Sequence, residues 1–552
     1  MAQGDRKADN FIAQAGILAM AGIISRIIGL LYRSPLTEVI GEVGMGYYQA
    51  AYSFYSIVLL ISSYSIPAAI SKVIAEKLAR REYRNAHRVF LCSMGYVLVV
   101  GLAASLFLYF GAGIFVKPEA VGVLRVFAPT IFIYGILGVL RGYFQAHRTM
   151  VQTSCSQVLE QIVNAVISIL AAYLLIKWSM GSLEMPVNPE QQVTRAAYGA
   201  MGSAVGTGAG VLVALLFMAA VYALNRSFFQ RRIARDRHCE VDSYRTILKT
   251  ITAVVTPFIL STAVYNLSAS VNTSIYTKIW PMFREVEHLY IDHTWGVFSG
   301  LALTISNIPI AFASAMASAM LPSVAQTVAA EHTDELQGKI GKAVKTIMII
   351  TIPCGAGLCV LAKPLTYLLF PRSDEVVTLA GKLLMTLSLS VIFYAISTLS
   401  NTVLQGLGKV NVPIINAGIA LVIQTLVSVL LLMFTGADIY AIAIANVVYS
   451  GVMCLLNQWS LYKAIGYRQE WKSSFLLPAL AAVFMAGFAF VVYETLYMVT
   501  SSMRISVIPA VLVAVVVYFV ALIKLRGVSE EELKDMPKGY LLVRLAKKCH
   551  LL

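Results

Sequence analysis

Apolar runs long enough to cross a bilayer recur from one end of this 552-residue chain to the other. A hydrocarbon core about 30 Å thick takes about 20 residues of helix, and it offers no water to satisfy a loose backbone. Fourteen runs can be drawn, at 12–32, 46–70, 89–112, 122–143, 155–177, 196–224, 247–273, 295–321, 343–362, 376–404, 412–434, 438–462, 474–496 and 504–525. They are continuous, unlike the alternating segments of about ten residues that mark a membrane β-barrel. Composition agrees: 58% of residues are apolar and 13% charged, against about 25% charged in soluble domains. The chain is therefore expected to be an all-α integral membrane protein with little room for a separate soluble domain. The first eleven residues are polar, and the run after them is too long for a signal-peptide core and contains Arg26, so no cleavable signal is expected.

With the N-terminus placed inside, the inner segments hold 31 of the 43 Lys and Arg residues and the outer segments hold 11. That asymmetry predicts a cell-membrane protein with both termini cytoplasmic. The richest inner stretches are KVIAEKLARREYRNAHR (72–88) and NRSFFQRRIARDRHCEVDSYR (225–245). Despite the net charge of +15, they read as topology signals beside anionic membrane lipid, not as a nucleic-acid surface. Arg141 and Arg148 read the same way, as markers of a cytoplasmic turn. The seven cysteines are scattered, with no CxxC pair, and suggest neither a disulfide framework nor a metal site.

A shift of 260 residues lays 143–170 on 403–430, matching Gln145 with Gln405 and Ser168 with Ser428. A shift of 255 lays 65–76 near 320–331, matching Pro67 with Pro322 and Glu76 with Glu331. Two six-helix lobes related as parallel repeats follow, with the last two helices outside the duplication and a central cavity between the lobes. The expected boundaries are 1–224 for the first lobe, 225–245 for a basic linker, 246–463 for the second lobe and 464–552 for helices 13 and 14 with a cytoplasmic tail.

Polar stripes mark which helix faces need something other than lipid. In the first run Gly22, Arg26, Gly29 and Arg33 share one face. An unpaired guanidinium at membrane depth costs at least about 2.5 kcal/mol, so Arg26 needs water, a partner or an anion. In the fifth run Gln157, Glu160, Gln161, Asn164 and Ser168 form a second stripe. Interhelical hydrogen bonding and the lining of a cavity both account for its amides. The ionisable Glu160 points to function, as an ion-coupling site. The second half has uncharged stripes, including Asn266 on the seventh helix and Asn401 with Gln405 on the tenth, where packing explains more.

SRIIGLLYRSPLT (25–37), GEVGMGYYQAAY (41–52) and RGYFQAHRTMVQTSCSQVLEQ (141–161) resemble the polysaccharide-biosynthesis, stage V sporulation protein B-like branch of the multidrug/oligosaccharidyl-lipid/polysaccharide (MOP) exporter superfamily. That branch includes the Gram-positive MurJ-like lipid II flippases. The resemblance implies two six-helix lobes that rock between inward- and outward-open states, with two further helices bordering a groove for a polyprenyl tail. It implies a cargo of sugar on a polyprenyl pyrophosphate, lipid II above all, and a transporter, not an enzyme. Through SRIIG the family's cavity arginine falls on Arg26, and Arg33 follows more loosely. In one departure, the runs 46–70 and 295–321 lack the cavity arginines that Gram-negative members carry on helices 2 and 8.

The chemistry suits that reading: forked guanidinium donors meet a pyrophosphate, and amides and hydroxyls meet sugars and peptides. No cofactor is expected, but coupling to Na+, H+ or membrane potential is, and cell-wall synthesis proteins are candidate partners. Two rivals remain open. A drug/cation antiporter of the multidrug and toxic compound extrusion (MATE) type would favour acidic and aromatic cavity residues and twelve helices. A membrane enzyme would need a catalytic cluster, and EVEHLYIDHTW (285–295) reads better as a solvated outer loop than as a metal site. No GxxxxGK[ST] loop is present. The glycines of GTGAG (206–210) and CGAGL (354–358) read as helix-packing positions.

Overall fold

The computed structural model describes residues 21–528 apart from 23, 65, 148, 183–187, 235, 237–240, 330–332 and 410, together with 544 and 547; the side chains of 63–66, 68, 69, 79, 253–266, 315 and 318–335 also lie outside the description. The side chain of Asn266, the matches at Pro322 and Glu331, and most of the C-terminal tail fall outside it. Two compact units divide the chain, Met1–Gly296 and Val297–Leu552.

In the first unit, helical residues 24–31 lead into α1 (Arg33–Leu59). There follow α2 (Ile66–Ala79), α3 (Tyr83–Phe115), α4 (Pro118–Ala146), α5 (Met150–Met180), α6 (Pro189–Ala234), α7 (Tyr244–Ser274) and α8 (His288–Gly296). The second unit holds a π-helical turn (Val297–Ala302), α9 (Leu303–Ala329), α10 (Thr333–Val360), α11 (Ala362–Leu369), α12 (Asp374–Gly406), α13 (Asn411–Phe434), α14 (Ile439–Ile465), α15 (Leu477–Thr500) and α16 (Met503–Lys524).

The helices are inside-out by the standards of a soluble protein. On α13, Asn416, Gln424 and Ser428 are buried while Ile415, Ile419, Val422, Leu426 and Leu430 are exposed. On α3, Ser93 and Ser105 are buried while Val99, Phe107 and Phe110 are exposed. Polar groups turned inward and apolar ones outward are stable only where the surroundings are hydrocarbon. Eleven helices among the described residues are long and apolar enough to cross a membrane. Of the fourteen expected, the runs at 12–32, 46–70 and 247–273 are not among the eleven. Masked residues cut into the first and third, and a π-helical turn at Leu60–Tyr64 interrupts the second.

Two expected loops are helical instead. The stretch 33–45 belongs to α1, which bends at Gly41 (φ 74, ψ 175), a conformation open essentially to glycine alone. Leu36 and Ile40 bury their side chains ahead of the bend, so this segment has an apolar face of its own and folds as helix. Likewise α6 continues to Ala234, taking in the first ten residues of the expected linker 225–245.

The rest of that linker is tied to the other basic stretch. Lys77 pairs with Glu82 at 2.9 Å and with Asp242 at 2.6 Å. Asp236 accepts from the Arg84 amide at 2.7 Å, and Arg88 donates to the Asp242 carbonyl at 3.0 Å. Hydrogen bonds from Asn85 and Lys77 hold the Glu82 carboxyl below its usual range. The two basic segments therefore neutralise part of their own charge.

Small residues close the seam between α5 and α6. A Cβ added at Gly202 would stand 2.4 Å from the Ala172 backbone, and one at Gly206 would meet the Ser168 backbone at 2.3 Å. The glycines at 206 and 210 thus serve close packing, as their sequence context suggests. The helix ends of α4 and α12, 260 residues apart, close with matching bonds: Thr149 N–H to the Phe144 carbonyl at 3.2 Å and Lys409 N–H to the Leu404 carbonyl at 2.9 Å.

Candidate functional site

The polar stripe of α5 turns a run of polar side chains into the first unit. Its spacing turns Ser156, Glu160, Asn164 and Ser168 to the interior, while Ile162, Val166 and Leu170 take the outside. Gln157 and Gln161 are half-buried at its edge.

Glu160 is ion-paired. Its carboxylate accepts from the Arg141 guanidinium at 2.8 Å, with the two side chains 15% and 5% exposed. Arg141 Nε donates to Ser156 Oγ at 2.8 Å, and Ser156 donates on to the Thr153 carbonyl. Arg141 is therefore not a solvated marker of the turn between α4 and α5. It sits within the apolar run 122–143, where a lone guanidinium is costly and a carboxylate on the next helix offsets the cost. An arginine just inside an apolar run, with a carboxylate nineteen residues on, was the signal available in the sequence.

One turn further along α5, Asn164 joins three helices. Its amide nitrogen donates to the Tyr32 hydroxyl at 3.5 Å, and its oxygen accepts from Ser168 at 2.9 Å and Thr207 at 3.4 Å. Tyr48 on α1 lies 3.4 Å from Thr207. One first-helix candidate, Gly29, comes close to the same stripe. A Cβ built on Gly29 would lie 3.8 Å from Gln161 Oε1. Arg26 is exposed and Arg33 half-buried. In the second unit Gln405 donates to Asn401 at 3.1 Å on α12, both half-buried.

A second buried ion pair was missed in the sequence. The expected solvated loop 285–295 is largely helix α8, and Asp292 pairs with Lys117 at 2.8 Å, the side chains 6% and 11% exposed. The Tyr276 hydroxyl and Thr294 share a hydrogen bond at 2.8 Å beside it. Ile291 and Trp295 bury the same face of α8, so the segment is packed and not solvated. Among the described residues no group of three His, Cys, Asp or Glu is placed to hold a metal.

The sequence model of the family described as lipid II flippase MurJ matches residues 76–508. The Bacillus subtilis (strain 168) lipid II flippase MurJ is 24% identical over 469 residues, 81% of this chain and 83% of that protein. Stage V sporulation protein B of the same organism is 22% identical over 546 residues, 97% and 99% of the two chains. Among solved structures, lipid II flippase MurJ in an inward closed conformation aligns with a TM-score of 0.65 at 15% identity, covering 91% of this chain and 97% of that one. An inward-facing MATE family transporter of the MOP superfamily aligns with 0.62 at 18% identity, covering 81% and 98%. These structural likenesses establish the fold, a MurJ- and MATE-like helical membrane architecture. The family match spans most of the chain, and the family is one of transporters, not enzymes. The protein belongs to the family described as lipid II flippase MurJ.

Proposed function

We propose that this chain flips a polyprenyl-pyrophosphate-linked sugar precursor, lipid II foremost, from the inner to the outer leaflet by alternating access. The observation that carries the reading, beyond family membership, is the approach of Gly29 to Gln161. It supports a first helix whose arginines share a site with the polar stripe of α5. In this reading Arg26 and Arg33 engage the pyrophosphate through forked donors, and Gly29 leaves room for it. Gln157, Gln161 and Asn164 meet sugar and peptide groups, with Asn266, Asn401 and Gln405 as the second lobe's lining. Glu160 is the ion-coupling group, for Na+ or H+, or for a response to membrane potential: a cation captured there weakens its hold on Arg141 and adds a guanidinium to the site. Both termini face the cytoplasm, and the lobes are 1–224 and 246–463, joined by 225–245, with 464–552 forming the two added helices and tail.

Another polyprenyl-linked precursor is the second reading, favoured by the near-equal identity to stage V sporulation protein B. The missing arginines in runs 46–70 and 295–321 point the same way. In cells depleted of their own flippase, expression of this chain restores labelling of outer-leaflet lipid II, and Arg26→Ala abolishes the rescue. Absent labelling, with the protein present in the membrane, overturns lipid II as cargo. If Arg26→Ala still exports cationic dyes while Glu160→Gln does not, the antiporter reading replaces it.

A further inference from the structure

One cleft in the second unit is built unlike the rest of the apolar surface. It encloses about 550 Å³ and is lined by Tyr367 of α11, Arg372 before α12, Tyr497 at the end of α15, the turn residues Ser501 and Ser502, and Arg504 in the first turn of α16. Asp374 also faces it, with its carboxylate held by Lys363 at 2.8 Å. The lining thus sets two arginines beside one carboxylate, which Lys363 from outside the lining already neutralises; the neighbouring Glu375 is exposed and does not line the cleft.

The frame is fixed by short-range bonds. Ser501 takes a left-handed conformation (φ 52) and donates its N–H to the Tyr497 carbonyl at 2.8 Å. The hydroxyls of Thr500 and Ser506 pair at 2.9 Å across the turn. The Arg504 guanidinium lies over the Tyr367 ring, 5.4 Å from its centroid. This contact holds one arginine against the cleft wall and leaves its edge for an anion.

Directly beside the cleft the surface is apolar: Met498 and Val499 are 79% and 80% exposed, Ile505 60% and Ile508 51%. A ligand that fits both surfaces carries a compact anion on an apolar chain. We propose that this cleft binds the phosphate headgroup of an anionic membrane lipid, with its acyl chains along the exposed flank of α15 and α16. Under the topology proposed above, this is the outer end of the helices. The site shares no residue with the Arg26 and Glu160 stripes.

The test uses the purified full-length chain in neutral detergent, with bound lipid counted by native mass spectrometry as phosphatidylglycerol, phosphatidylcholine or inorganic pyrophosphate is titrated in. Phosphatidylglycerol is expected to bind in preference to phosphatidylcholine, and Arg372→Gln with Arg504→Gln to weaken it at least about tenfold. Arg284→Gln with Arg468→Gln, which removes the same charge from exposed positions outside the cleft and the two basic stretches, is expected to leave that binding in place. Arg372→Lys with Arg504→Lys is expected to retain most of it, and serves if the glutamine pair does not fold. Equal weakening by both glutamine pairs, or no weakening by the cleft pair, overturns the site. Pyrophosphate binding as tight as phosphatidylglycerol overturns the lipid assignment in favour of a soluble anion.

Discussion

At the scale of single residues, the decisive feature is two buried ion pairs, one reaching into an apolar run and one just outside the runs. Arg141 with Glu160 and Lys117 with Asp292 each place a cation and a carboxylate 2.8 Å apart with little exposure. Removing one partner of such a pair leaves an uncompensated buried charge, at about 3–5 kcal/mol, whereas removing both is far milder. Arg141→Met and Glu160→Leu are therefore expected to lower the melting temperature sharply one at a time, and much less together. A double-mutant cycle by thermal unfolding in detergent checks it, and additive losses would refute the coupling. The sequence singled out Arg141 and Glu160 but not their pairing, and it gave Lys117 and Asp292 no such role. Each partner sits on a different helix, and only long-range packing brings the helices together.

Elements were legible where their signal is local. The inward stripe on α5 follows from spacing alone, because residues three and four apart share a face. The α1 bend was not legible. Leu36 and Ile40 give the segment an apolar face, but nothing local says that the chain bends at Gly41 between helical turns. The α5–α6 seam gives the sharpest test at this scale. Gly202→Val would drive a side chain into the Ala172 backbone, 2.4 Å from its Cβ, where neither helix can yield cheaply. A loss of about 1–3 kcal/mol or more is expected, read as reduced thermal stability and yield in detergent. Gly487→Val, on α15 where nothing lies within 4 Å of an added Cβ, is expected to lack that clash.

For the whole molecule, hydropathy and the placement of Lys and Arg carry the class and the proposed orientation. Reporter fusions check the latter. Alkaline phosphatase fused after residue 372 or 501 should be active, and fused after residue 240 or at the C-terminus inactive; the reverse pattern would invert the topology.

Sequence by itself determined that this is a helical membrane protein, which faces of its helices are polar and, through its motifs, its family. Those are one-dimensional properties, set by run length, residue spacing and charge counts. Only the tertiary structure decided that Arg141 belongs to Glu160, that Lys117 belongs to Asp292, that the two basic segments fold onto each other, and that Tyr367, Arg372 and Arg504 share one cleft. The reason is physical: a buried charge demands a partner, but which partner meets it depends on how helices distant in sequence pack.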